Sequence, residues 1–328
     1  MHKPNDSLED NLKSLEGVDD FFIYLQTNNY SPKTVYNYEK DLLIFAYFLK
    51  LRKINIFNLD KKLINEFKAY LASDGRKTAT LEGESQKQLS PSSVNRCLSA
   101  VRAYIRFIID NDIKCPVSPD QFKMVKKDRP HPHVAELADL TALIESPSKL
   151  EADPIISARN RAVLEVLFAT GMRISELVAL NKRDINSSGR IFITGKGRRQ
   201  RFVYLTERAM NLLNAYLDLR KDNHEALFVP TKGKTIGFGK QRLTSRYIQE
   251  KIKQYREILK IDLPVSPHAL RHGFATYLAE EGASPVAIQI LLGHESLNTT
   301  TRYVNASDKF AEETHHKFHP LSKTEDRK

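Results

Sequence analysis

The chain has 328 residues, 41% hydrophobic and 28% charged, with a net charge of +11. That length suits two cores, the mix is that of a soluble globular protein, and no stretch approaches the ~20 apolar residues of a membrane helix. Two cysteines, Cys97 and Cys115, make neither a disulfide framework nor a zinc spacing, which predicts a reducing, cytoplasmic setting. The opening residues are polar and acidic, unlike a secretory signal. Basic residues concentrate downstream: residues 121–328 hold 34 Lys and Arg against 24 Asp and Glu, while residues 1–120 hold 17 against 16. Without its first twenty residues the front half is basic too, which points to a polyanionic partner.

Residues 1–16 read as an acidic, flexible lead. From 17 to 50 the pattern is helical: Val18, Phe21, Phe22 and Leu25 recur at helical spacing, then Ser31-Pro32 marks a new start and Val35, Tyr38, Leu42, Phe45 and Phe48 continue it. A third helix is expected over Lys61–Ala72. Residues 73–90 are polar and rich in Gly, Ser and Thr, which predicts a loop. Ser90-Pro91 repeats the start signal before a helix burying Val94, Leu98, Val101, Ile105 and Ile108. Residues 17–112 therefore form an all-helical domain. Residues 113–132, with Pro116, Pro119, Pro130 and Pro132 and a basic run from Lys123 to Arg129, read as an interdomain linker.

The second domain, 133–318, is mixed α+β, followed by a 319–328 tail. Helices are expected at 136–147 and 158–168, with another beginning near Arg173. RIFITGKGRRQRFVYL breaks the helical period, and its β-branched and aromatic runs flank Gly195-Lys196-Gly197, a hairpin signal. Helices resume at 207–219, 242–258, 267–281, 285–292 and 297–305. The whole predicts a two-domain, mainly α protein with one small antiparallel hairpin.

The chemistry gathers late. Ser266 and Pro267 open a helix on which His268 and Arg271 share a face. Upstream, Arg173 follows a Thr170-Gly171 turn, with Glu176 one helical turn on to fix its side chain. Two guanidiniums can hold both non-bridging oxygens of one phosphodiester and stabilise charge developing there, a role a metal often fills. Lys196 at a hairpin tip can protonate a leaving alkoxide or touch backbone phosphate, beside Arg198, Arg199 and Arg201. His294 follows a helix end closed by Gly293, and Tyr303 lies nine residues on. A phenol needs help to act as a nucleophile at neutral pH. Taken singly, each residue has an ordinary structural explanation. Gly233-Lys234-Thr235 mimics the end of a phosphate loop but lacks its first glycine, Phe228 standing there. His315, His316 and His319 read as part of a solvated tail helix, with no metal site.

Together, Arg173, Lys196, His268, Arg271, His294 and Tyr303 resemble the tyrosine recombinase (phage integrase) family in order and approximate spacing. The motif strings are ATGMRISEL, the GKG hairpin, SPHALRHGFATYL and LLGHESLNTTTRY, and the likeness runs from about 17 to 318, closest to the Xer-like members. The resemblance implies a SAM-like helical bundle that clamps DNA ahead of a catalytic domain. It implies that Tyr303 attacks the scissile phosphate to give a 3′-phosphotyrosine without ATP, metal or other cofactor. Arg173, Arg271 and His294 would hold the phosphoryl group, His268 assist proton transfer, Lys196 protonate the departing 5′-oxygen and Glu176 support Arg173. Lys33, Arg96, Arg102, Arg198, Arg199 and Arg201 are the candidate DNA contacts. The partners implied are double-stranded DNA carrying a specific recombination site, and three further protomers, either identical or from a related recombinase. The segment 306–318 would dock on a neighbour. Two other readings share the residues: type IB topoisomerase-like relaxation, and a non-catalytic DNA-binding protein on the same scaffold.

Overall fold

The computed structural model describes residues 11–74, 76–78, 81–85, 88–126, 135–194, 200–231, 241–293 and 308–320. The chain divides into two compact units, residues 1–130 and 131–328, each with its own hydrophobic core.

The first unit is built on α1 (Val18–Thr27), α2 (Pro32–Arg52), α3 (Lys61–Ala72) and α4 (Pro91–Asp110). Two of these begin with the same device. Ser31 accepts a hydrogen bond from the Thr34 amide at 3.1 Å and Ser90 one from the Ser93 amide at 3.3 Å, each with proline in the next position. The serine satisfies an amide that the helix leaves unpaired, and proline, lacking an N–H, adds none. Phe21, Phe45, Phe48, Phe67, Leu98, Val101 and Ile105 fill the core. Fully buried Asp41 lies within it, accepting from Arg96 Nη1 at 2.6 Å and from Cys97 Sγ at 3.0 Å.

Two stretches differ from their expected form. Residues 73–90 carry a short antiparallel hairpin, β1 (Arg76–Thr78) with β2 (Leu81–Ser85). A two-stranded ribbon is held by backbone pairing, so it needs no apolar alternation to show itself in the sequence. The first half of the 113–132 stretch packs back on the unit. Val117 and Phe122 are buried, and Asn95 of α4 holds both the amide and the carbonyl of Val125, at 2.7 and 2.9 Å.

The second unit opens with α5 (Leu137–Glu145) and α6 (Pro147–Leu150), then α7 (Pro154–Thr170). Every residue of α7 from Arg159 to Thr170 is buried, so this helix is the axis of the core and carries no amphipathic period. Around it stand α9 (Glu207–Asp218), α10 (Ser245–Ile258), α11 (Pro267–Glu280), α12 (Pro285–Leu292) and α13 (Asp308–Phe318). After the short α8 (Ile174–Ala179), β3 (Arg190–Thr194) pairs antiparallel with β4 (Gln200–Tyr204), in a register that sets Ile193 opposite Arg201 and Thr194 opposite Gln200. Among the described residues no helix is long and apolar enough to cross a membrane.

The expectation of a solvated histidine helix at the chain's end is overturned. On α13, His315 and His319 are fully buried. Their Nε2 atoms meet the carbonyls of Ala169 and Phe168, in the last turn of α7. Both rings pack on Phe274. The end of α7 offers carbonyls with no helical partner, and the imidazoles supply donors from a segment far away in sequence. In this structure α13 is thus seated on its own unit.

Candidate functional site

The site grows from the end of α7. Gly171 closes that helix in the left-handed region, φ +59°, and donates its amide to the Leu167 carbonyl at 3.1 Å. A side chain there would strike Phe274, so glycine is required twice over, by backbone and by space. Two residues later Arg173 caps α8. Its amide donates to Glu176 Oε2 at 2.7 Å and its Nη1 to Glu176 Oε1 at 3.0 Å. One carboxylate thereby satisfies a free helix amide and steers the guanidinium, which stays about one-third exposed, at 36%.

Arg271 comes from α11. Its Nη1 donates to the Gly171 carbonyl at 2.8 Å and its Nη2 to the Leu292 carbonyl at 2.6 Å. It is buried, 5% exposed, whereas His268, one turn earlier, is exposed. The two share a helix but not an environment: the arginine is drawn inward by carbonyls ending α7 and α12. Burial, and then repulsion from Arg173 and Arg201, pulls the Arg271 guanidinium down to about 10. It remains charged at neutral pH.

Arg201, expected among the DNA contacts, is not placed for that. Its Nη1 and Nη2 donate to the two oxygens of Glu176 at 3.0 and 2.8 Å and its Nε to the Leu291 carbonyl at 2.8 Å. Its side chain is 8% exposed and all three of its nitrogens are already engaged. A signal for this lies in the strand register: Arg201 stands opposite buried Ile193, and directly opposed residues face the same side of the sheet. Burial alone would raise the Glu176 carboxyl, but hydrogen bonds from Arg201 and the Arg173 amide hold it below its ordinary value.

Two guanidiniums, of Arg173 and Arg201, thus hold one carboxylate, and a third, of Arg271, lies near enough to feel the charge of all three, leaving two positive charges uncompensated within that group. Such a cluster is a seat for an anion with several oxygens. Beside Arg173 an open cleft of about 560 Å³ is lined by Ser175, Asp184, Phe192 and Thr194. Gly293, φ +63°, ends α12 next to Arg201, and His294 follows it in sequence. Lys196, Arg198, Arg199, His294 and Tyr303 lie outside the described residues, as does the helix expected at 297–305. In the first unit, Lys33 is exposed on the first turn of α2. Arg96 is half-exposed on Asp41, and Arg102 meets Asp120 at 3.1 Å. Among the described residues no cluster of His, Cys, Asp or Glu could hold a metal ion.

Residues 136–309 match the phage integrase family, and residues 18–112 match the phage integrase N-terminal SAM-like domain. The chain belongs to the phage integrase family and so to the tyrosine recombinases, enzymes that transfer DNA strands. Within it the chain is 32% identical to tyrosine recombinase XerC of Pelobacter propionicus, over 94% of this chain and 97% of that one. It is 30% identical to tyrosine recombinase XerD of Staphylococcus saprophyticus, over 92% and 98%. A lambda integrase(75-356) dimer bound to a COC' core site shares the fold, with a TM-score of 0.66, 17% identity and coverage of 92% of this chain and 99% of that one. XerH bound to its difH substrate does likewise, with a TM-score of 0.62, 23% identity and 89% of each chain covered.

Proposed function

We propose that this chain is a site-specific recombinase that cuts and rejoins duplex DNA through a covalent 3′-phosphotyrosine on Tyr303. The observation that carries the reading is the arginine cluster, in which Arg173 and Arg201 are held on the carboxylate of Glu176 and Arg271 is held beside them by the Gly171 and Leu292 carbonyls. Its excess positive charge is already fixed in place, so a phosphodiester arriving there meets the preorganised guanidiniums of Arg173 and Arg271, and charge developing on its oxygens is stabilised without a metal. Tyr303 forms the new bond to phosphorus as the bond to the 5′-oxygen breaks. Lys196 delivers a proton to that oxygen, and His268 assists proton transfer at the nucleophile. Arg173, Arg271 and His294 hold the phosphoryl group, and Glu176 orients Arg173. A 5′-hydroxyl from another strand reverses the step, so the phosphodiester is remade without an energy-rich cofactor.

The partner is double-stranded DNA carrying a recombination site, contacted by Lys33, Arg96 and Arg102 of the helical unit and by Arg198 and Arg199 beside Lys196. Four protomers act together, either all identical or shared with a related recombinase. The work is Xer-like resolution of chromosome or plasmid dimers, or integration and excision of a mobile element. The likeness to XerC and XerD supports the Xer-like reading, and lambda integrase, of the same fold, is recorded as a tetramer bound to a Holliday junction.

The test uses a duplex selected on the protein from a random-sequence pool, then nicked near the cut so that the covalent product cannot religate. The parent protein should give an adduct that survives a denaturing gel. Tyr303→Phe should bind the duplex equally well and give none. An adduct with the phenylalanine variant, or none with the parent, refutes the reading.

A further inference from the structure

The commitments of Arg201 exceed what a surface strand residue needs. Its guanidinium spans both oxygens of Glu176, at 3.0 and 2.8 Å, and the Leu291 carbonyl at 2.8 Å. The neighbouring Leu292 carbonyl is taken by Arg271. Two successive carbonyls at the end of α12, where the helix dipole is negative, are thus held by two arginines from different elements. The fit is close: a Cβ on Gly293 would lie 2.9 Å from Cδ of Arg201. Glu176 belongs to the turn that carries Arg173, and Leu291 to the turn that runs into His294.

We infer that Arg201 is a positioning residue, which locks the Arg173 turn to the end of α12 and does not itself touch DNA. The inference rests on the reading of Arg173, Arg271 and His294 as phosphate ligands. Chemistry sets what could replace it. A guanidinium presents five N–H groups in one rigid plane and so can bridge a carboxylate and a carbonyl on two elements. A lysine ammonium keeps the charge but is a single point, unable to span both. Without the bridge, Glu176 also loses donors that keep its buried carboxylate ionised.

The experiment compares Arg201→Lys and Arg201→Gln with the parent on the nicked duplex described above. It reads binding against salt, single-turnover adduct formation per bound duplex, the pH profile of that rate, and folding by circular dichroism. For Arg201→Lys, binding and its salt slope should match the parent. Adduct formation should fall about 100-fold, the scale of a misplacement of roughly 1 Å, and its rate should gain an acid limb as Glu176 becomes protonated. Arg201→Gln should be no better.

A folded Arg201→Lys that forms adduct at the parental rate with an unchanged pH profile overturns the inference. So does a salt slope lowered by about 1 in Arg201→Gln, the mark of a lost phosphate contact. If neither variant folds, Arg201 serves stability alone and the positioning role fails. Failure of the parent to form adduct strikes the recombinase reading instead, so the two are separable.

Discussion

Gly171→Ala probes how firmly the arginine cluster is built onto the end of α7. Gly171 has φ +59°, and a Cβ there would lie 2.4 Å from Cδ1 and 2.7 Å from Cε1 of Phe274. A side chain in the left-handed region costs about 1–2 kcal/mol. Phe274 is fully buried and cannot swing into solvent, and forcing a methyl group into a packed core costs about 1–3 kcal/mol more. The expected loss is about 3–4 kcal/mol for the unit 131–328, or roughly 10 °C in Tm for a domain of that size. The damage should reach the site, because Phe274 lies one turn beyond Arg271, which donates to the Gly171 carbonyl. Adduct formation per folded molecule, measured well below the transition, should therefore fall as well. Pairing Gly171→Ala with Phe274→Leu relieves the clash but not the backbone strain, so the double variant should be more stable than the two single losses added together. Urea unfolding followed by circular dichroism supplies the free energies. A Gly171→Ala protein within about 1 kcal/mol of the parent, with adduct formation intact, would refute the reasoning.

Acid should unseat α13. Burial pushes His315 down to about 4 and His319 well below its ordinary value, so below pH 6.5 the undocked segment binds protons that the docked one refuses. The seat is fully stable above pH 6.5 and weakens as pH falls, by about 1 kcal/mol per histidine at pH 5.5. Amide exchange across 308–318, corrected for its intrinsic pH dependence, should speed up at least tenfold between pH 7.5 and 5.5, and a flat profile contradicts the burial. In the first unit, Asp41→Asn exchanges two bonds to a buried carboxylate for a neutral amide, which should cost about 1–3 kcal/mol. Thermal unfolding of that unit reads the loss, and an unchanged midpoint would show the ion pair to be idle.

Much of this architecture is legible in the chain, for local reasons. Ser31-Pro32 and Ser90-Pro91 announce helices because the cap and the fixed φ act within four residues. The bond between Arg173 and Glu176 follows from their spacing of three. What escapes local reading is set by distant partners. His315 and His319 look solvated until the end of α7, some 150 residues earlier, offers them carbonyls. Arg201 looks like one more basic residue beside Lys196 until β4 turns it inward onto Glu176. The start of α7 at Pro154, ahead of the expected 158, is similarly obscured: a helix buried on all sides carries no period, and Asp153, which caps it, is the better marker.

The division into two separate cores has a consequence for how such a protein diverges. Among the described residues no buried residue is common to both clusters: Phe45 and Phe67 pack in one, Phe168 and Phe274 in the other. Lys33 and Arg96 stand on the helical unit and the arginine cluster on the other, so each surface is supported by its own core. On the recombinase reading proposed above, the surface that meets DNA and the cluster that handles its phosphate can therefore vary separately.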